Sequence, residues 1–386
     1  MIAAARVAAA IEVLDDILAG QKAEKALTTW GRAHRFAGSG DRAAIRDLVF
    51  DGLRGWRSLA AMGGSDTGRG IMIGLMRRGG ADLGQIFSGV GHAPAVLGPD
   101  DTARRLIGGA VQADLPDWLF PIVMADLAAQ AGTVLGAMQQ RAPVFLRVNL
   151  RRGTPGMAIE NLADDGIDAV MHPQVRTALQ VIANERKIQT SQAYLSGLVE
   201  LQDAASQRVA LQLGLQAGQR VLDYCAGGGG KALAMAALAD VAVFAHDAAP
   251  QRMADLAARA ARAGVTIAQI STSALANQPL FDVVLVDAPC SGSGTWRRTP
   301  DAKWRFEAAD LAKVVQLQAE ILMQAARLVA PTGTLAYVTC SMLQAENQAQ
   351  VGKFIAGNPE WVLRQDWQYF PSDLGDGFYL GLLQRR

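Results

Sequence analysis

Three cysteines serve a chain of 386 residues, and each follows a run of apolar, strand-forming residues. Cys225 ends VLDYC just before a glycine run, Cys290 follows DVVLVDAP, and Cys340 follows TLAYVT. Open α/β sheets place their chemistry in the loops beyond such strands. A thiolate in such a loop is a nucleophile. Asp287 shares the Cys290 loop, and Lys231 shares the Cys225 loop. For one buried cysteine, inert packing is the better reading. Two at strand ends beside a glycine-rich turn point instead to covalent catalysis. No pair has metal-ligand spacing, so no metal is expected. Free thiols fit a reducing, cytoplasmic setting.

The stretch VLDYCAGGGGKALAMAAL reads as strand, turn and helix. Glycines let the backbone turn tightly and approach a ligand, and a helix N-terminus favours negative charge. A P-loop is excluded, because Cys225 stands where it needs glycine and Ala232 where it needs Ser or Thr. Cys225, Ala226, Gly227, Gly228, Gly229, Gly230 and Lys231 are therefore candidates for another cofactor turn. Asp247 ends the next strand, VAVFAHD, where an acid would hold a ribose hydroxyl pair. Nicotinamide enzymes and S-adenosylmethionine enzymes share this arrangement. A nicotinamide dehydrogenase would leave both remaining thiols without a role.

Two thiols and a methyl donor suit one reaction. Carbon 5 of cytosine is a poor nucleophile until a thiolate adds to carbon 6 and converts the ring to an enamine. An acid must serve ring nitrogen 3, and Asp287 is placed to do so. A base must later remove the proton from carbon 5 so that the thiol leaves. One cysteine would be the nucleophile and the other would assist release. The base must be unstacked to reach such a site. TWRRTPDAKWRF, next in the chain, interleaves Arg297, Arg298, Lys303 and Arg305 with Trp296 and Trp304. That mixture suits single-stranded nucleic acid, through phosphate contacts and stacking.

Positioning these residues takes several elements. Strand-like runs at 219–224, 241–246, 265–270, 281–287 and 333–339 alternate with helical stretches such as 248–263 and 310–329. This predicts a doubly wound, mostly parallel α/β sheet over 201–386, with FYLGLLQ as a further strand. Residues 1–128 have helical periodicity, as in Val7, Val13 and Leu14 and in Ile45, Val49 and Leu53. A bridging helix begins near Pro116, and a small α+β module runs to residue 200, with VFLRVNLRR as a strand and MAIENLADDGI as a helix. The formal net charge of +1 excludes a globally basic nucleic-acid binder, so any basic surface is local. No uncharged stretch reaches membrane-spanning length, and the N-terminus reads as an amphipathic helix, not a signal peptide. A soluble monomer with no membrane partner is expected.

DAPCSGSGTWRRTPDAKW, TLAYVTCSMLQAEN and the ending GDGFYLGLL resemble the Sun (Fmu) family of RNA cytosine-5 methyltransferases. The N-terminal helices resemble the NusB-like RNA-binding domain found in that family. The resemblance implies a Rossmann-like methyltransferase domain, S-adenosylmethionine as cofactor, and ribosomal RNA (16S) as substrate. It also implies Cys340 as nucleophile, Cys290 in product release, and Cys225 to Lys231, Asp247, Arg252 and Asp287 at the cofactor. Two departures stand out. The family's Cys-Ala-Ala-Pro-Gly-Gly-Lys-Thr is here Cys-Ala-Gly-Gly-Gly-Gly-Lys-Ala, and losing the proline should loosen the turn. The family also places an acid near the adenine after the third strand. Here no acid lies between Asp255 and Asp282, and Ser273 is the expected replacement. These departures motivate an alternative, a non-catalytic RNA-binding assembly factor with a decayed cofactor pocket.

Overall fold

The computed structural model describes residues 1–104 and 108–386. They form two compact units, Met1–Arg141 with Trp296–Phe306, and Ala142–Thr295 with Glu307–Arg386.

The first unit is helical. Ala3–Leu18, Ser39–Arg54 and Gly68–Arg78 contribute the apolar faces that the periodicity implied. Val7, Val13, Leu14, Ile45, Val49, Leu53, Ile71 and Met72 meet in one buried cluster. Helices Trp56–Gly63 and Gly68–Arg78 approach at backbone distance, since a Cβ on Gly63 would lie 1.7 Å from the Gly70 carbonyl oxygen. Thr67 caps the second of these by accepting from the Gly70 N–H. The expected single bridging helix is instead two, Phe120–Leu127 and Ala131–Met138. They are interrupted at Ala128, whose φ is +46°. This stretch is long and apolar enough to cross a membrane by length and composition, although it carries Asp126.

The second unit begins with a four-stranded antiparallel sheet: β1 (Val144–Val148), β2 (Asp168–Met171), β3 (Ala178–Ala183) and β4 (Val199–Leu201). The strand order is β2-β3-β1-β4. Helix Pro155–Asp164 packs on it, started by Thr154 as N-cap and Pro155 in the first turn.

A seven-stranded sheet follows: β5 (Arg220–Asp223), β6 (Ala242–Ala245), β7 (Ile267–Gln269), β8 (Phe281–Asp287), β9 (Val329–Thr339), β10 (Trp361–Tyr369) and β11 (Phe378–Arg385). Its order is β10-β11-β9-β8-β5-β6-β7, parallel except for β11, which pairs antiparallel with both β9 and β10. This is the expected doubly wound, mostly parallel sheet. Strand period places Val221, Val283 and Leu285 against Leu233 and Leu256 on one face. Leu222, Val284 and Val286 face Leu322, Ala325 and Phe354 on the other. The strand order reverses between β5 and β8, and the crevice beyond the carboxyl ends of these strands is where such sheets bind ligands.

Candidate active site

The glycine turn leaves β5 at Asp223 and enters helix Gly230–Leu238. Gly227 and Gly229 take φ of +52° and +76°. A side chain at 229 is doubly excluded, because its Cβ would also lie 2.2 Å from Leu256. The turn lacks the proline but is fastened at both ends. The Ala226 N–H donates to the His246 carbonyl (2.8 Å), and the Gly230 carbonyl accepts from Arg147 (2.9 Å) and Gln202 (3.2 Å). Arg147 is 4 % exposed, and burial lowers its pKa to about 10.

Asp247 lies just beyond β6 and is buried. Its Oδ2 accepts from the Gly227 N–H (2.9 Å) and pairs with Arg252 (3.2 Å), while Oδ1 accepts from the Ala249 N–H. Asp247 and Arg252 are thus joined to the glycine turn. Ser273 sits differently. It is exposed on the short helix Thr272–Leu275, and its hydroxyl meets that of Ser271 (3.1 Å). Thr272 is the hydroxyl that reaches inward, 2.9 Å from Nε2 of buried His246, whose Nδ1 is 2.7 Å from the Tyr224 carbonyl. His246 was not anticipated, although its place beside Asp247 at a strand end was a usable signal.

Asp287 ends β8, and its Oδ2 is 2.6 Å from Nζ of Lys231. Lys231 is 7 % exposed and also faces the Phe378 ring at 5.0 Å. Burial disfavours its charge, but Asp287, Asp223 and Cys340 outweigh that and hold the ammonium charged. Asp223 is a further member that sequence reading missed. It is 1 % exposed, and its Oδ1 has no hydrogen-bond partner. Burial, reinforced by the Asp287 charge, pushes its carboxyl up to about 7. Burial also raises the Cys225 thiol, as do the charges of Asp223, Asp287 and Asp247. Cys225 therefore stays protonated.

Cys290 and Cys340 stand at the ends of adjacent parallel strands β8 and β9, with sulfurs 3.4 Å apart. Both are partly exposed. The hydrogen bond to Cys340, burial, and the Cys340 and Glu346 charges push the Cys290 thiol well up. Either thiol can be the donor in the contact between the two sulfurs. The crevice brings together Asp223, Lys231, Asp287 and both thiols.

The predicted RNA stripe departs from expectation. Trp296–Phe306 packs within the helical unit, and Arg297 and Lys303 are only 1 % and 3 % exposed. Helix Ser39–Arg54 ends with carbonyls that its own ladder cannot satisfy. The Trp304 indole N–H donates to the Leu53 carbonyl (2.7 Å), and Lys303 Nζ donates to that of Arg54 (3.3 Å). Arg54 in turn donates to the Arg297 carbonyl (2.7 Å). Trp304 also packs on Trp56, ring centroids 5.0 Å apart. Lys303 and Trp304 thus cap the end of that helix, and Arg297, also buried, offers its carbonyl to Arg54. Arg298 is half-buried, and Arg305 is exposed and pairs with Asp301 (2.8 Å). Among the described residues no cluster of three or more His, Cys, Asp or Glu could hold a metal.

Comparison with known proteins agrees with this geometry. Residues 210–379 match the family model of 16S rRNA methyltransferase RsmB/F, and residues 115–206 match the RsmF/B-like ferredoxin-like domain. The ribosomal RNA small subunit methyltransferase B of Sodalis glossinidius is 34 % identical over 280 residues, 68 % of this chain and 64 % of that protein. The match thus spans less than two thirds of that relative's length. The crystal structure of PH0851 superposes with a TM-score of 0.77 at 21 % identity, covering 100 % of this chain and 99 % of the other. NSun6 from Pyrococcus horikoshii with SFG gives 0.63 at 15 % identity, covering 70 % and 98 %. These two likenesses show the fold.

Proposed function

Residues 115–206 and 210–379 belong to the RsmB/F (Sun) family of methyltransferases, and on that premise we propose that this chain methylates carbon 5 of cytosine in RNA. The RNA is ribosomal, as the Sodalis relative's name indicates, and the work is cytoplasmic. The contact of Cys290 with Cys340 beside the Lys231–Asp287 pair carries this reading.

The crevice fits S-adenosylmethionine. Gly227 and Gly229 leave backbone where side chains would intrude. Cys225 to Lys231, Asp247, Arg252 and Asp287 would hold it, with Thr272 nearer the buried polar groups than Ser273. When bound, it supplies an electrophilic methyl group.

Cys340, as thiolate, forms a bond to carbon 6 of the cytosine. Asp287 takes a proton from the Lys231 ammonium it contacts and passes it to nitrogen 3 as negative charge moves onto the ring, leaving Lys231 neutral until the proton returns on release. Carbon 5 becomes the nucleophile and gains the methyl group. Cys290 then takes up its second role. The hydrogen bond to Cys340 is the largest cause that raises its thiol, followed by burial and the Cys340 charge. Bonding the Cys340 sulfur to carbon removes the Cys340 charge, while burial and Glu346 remain, so Cys290 ionises more readily than before. Having released its own proton to water, it accepts the carbon 5 proton, and the carbon 6–sulfur bond breaks to restore the ring.

Bisulfite sequencing of RNA from cells with and without the gene tests this reading. One or more cytosines should resist conversion only when the gene is present. Identical conversion in both, together with no binding of S-adenosylmethionine at millimolar concentration, would favour the assembly-factor alternative.

A further inference from the structure

The two thiols sit on different loops, so something must hold those loops at contact distance. Backbone supplies part of the tie, since the Gly294 N–H donates to the Cys340 carbonyl (2.9 Å). Glu346 supplies more. It is fully buried, and four donors converge on its carboxylate. Oε1 accepts from the Ser291 N–H (2.8 Å) and from Gln318 Nε2 (3.0 Å). Oε2 accepts from the hydroxyls of Ser291 and Ser341, each at 2.5 Å. Ser291 follows Cys290, and Ser341 follows Cys340. Gln318 also donates to the carbonyl of Pro289, on the other side of Cys290 (2.9 Å). Neighbouring Asn347 holds the Cys340 loop alone, through Thr339 (2.5 Å) and the Ser341 carbonyl (2.9 Å).

We propose that Glu346 is a positioning residue that clamps the Cys290 and Cys340 loops together and so sets the thiol–thiol contact on which methyl transfer and release depend. The role rests on the methyltransferase reading, but the geometry can be tested apart from it. A buried carboxylate with four donors is over-determined in position, and charge-assisted hydrogen bonds are the strong ones. No neutral side chain of its size offers acceptor sites at both ends.

Glu346→Gln keeps the shape but replaces one acceptor oxygen by a donor. Ser341→Ala removes one arm of the clamp, together with the Ser341 hydroxyl's contacts to Ser293 (2.9 Å) and Ser291 (3.3 Å) on the Cys290 loop. The direct readout is disulfide formation with diamide. Two thiols lose two protons and two electrons to the N=N bond, giving one disulfide and a hydrazine. In the wild-type chain, peptide mapping should find Cys290 joined to Cys340. Glu346→Gln should slow this joining at least tenfold and Ser341→Ala at least threefold, with alkylation of Cys225 unchanged. kcat with RNA should fall about a hundredfold for Glu346→Gln, as expected for a displacement of about 1 Å, while S-adenosylmethionine affinity holds. Joining at the wild-type rate in a cooperatively folded Glu346→Gln would overturn the clamp. If that variant does not fold, wild-type joining in Ser341→Ala overturns it instead. Failure of the wild-type thiols to join would also overturn it. Fast wild-type joining, slowed in the variants, in a chain that methylates no RNA would sink the methyltransferase reading and leave the clamp standing.

Discussion

Replacing Asp223 by asparagine should make the protein more stable, and by an amount that depends on pH. Asp223 is 1 % exposed, lacks a partner for Oδ1, and shares its crevice with Asp287. Burial is the main reason its pKa rises from 3.8 to about 7. A rise of that size corresponds to about 4 kcal/mol between protonation states. The folded state therefore keeps the proton over a range where the unfolded chain has released it. Stability from this group is fully present below pH 4, falls as pH rises from there, and is lost above pH 7. An amide cannot ionise, so Asp223→Asn escapes the loss. Urea unfolding of both proteins at intervals from pH 5 to pH 8 is the assay. The variant's advantage should grow by about 1.4 kcal/mol per pH unit up to pH 7 and then level off. Parallel stability profiles across this range would refute the assignment of a neutral Asp223.

The thiols, the turn and the helix cap give further expectations. Cys290→Ala should leave attack intact but slow elimination by about 10²–10⁴-fold, the usual worth of a proton-transfer group, so that a protein–RNA adduct accumulates on denaturing gels. The same gel should show none with Cys340→Ala, and the opposite pattern would invert the two roles. Gly229→Ala places a methyl group 2.2 Å from Leu256 at a φ of +76°. Calorimetry should therefore show at least tenfold weaker S-adenosylmethionine binding. Trp304→Ala should lower stability by about 2 kcal/mol, because it removes a helix cap and the packing on Trp56. RNA affinity should change less than threefold, and a large loss of affinity without loss of stability would restore the nucleic-acid role.

The sheet and the centre of the site were legible because strand period and loop composition are local signals. β5, β6, β8 and β9 end where apolar runs meet Asp, Cys and Gly, so Lys231, Asp247, Asp287, Cys290 and Cys340 could be placed from spacing alone. β10 was not read. Its sequence WVLRQDWQY is polar in the middle, because Arg364, Gln365 and Asp366 are exposed on an edge strand. Asp223, His246 and Glu346 were missed because burial among other polar groups is created only by the fold. The packing of the Arg/Trp segment was not legible for the same reason. Cations among aromatics suit nucleic acid, but they also suit the open carbonyls of a helix end, and only the tertiary structure brings Leu53 and Arg54 to Lys303 and Trp304.

The central claim is that Cys340 attacks carbon 6 of cytosine, and trapping that bond tests it most directly. RNA made with 5-fluorocytidine presents a fluorine where the carbon 5 proton should leave, so release is blocked after methyl transfer. Incubated with S-adenosylmethionine and digested, the protein should yield a peptide carrying a methylated fluorocytidine on Cys340 by mass spectrometry. No adduct, or an adduct on Cys290 or Cys225 instead, would contradict the claim.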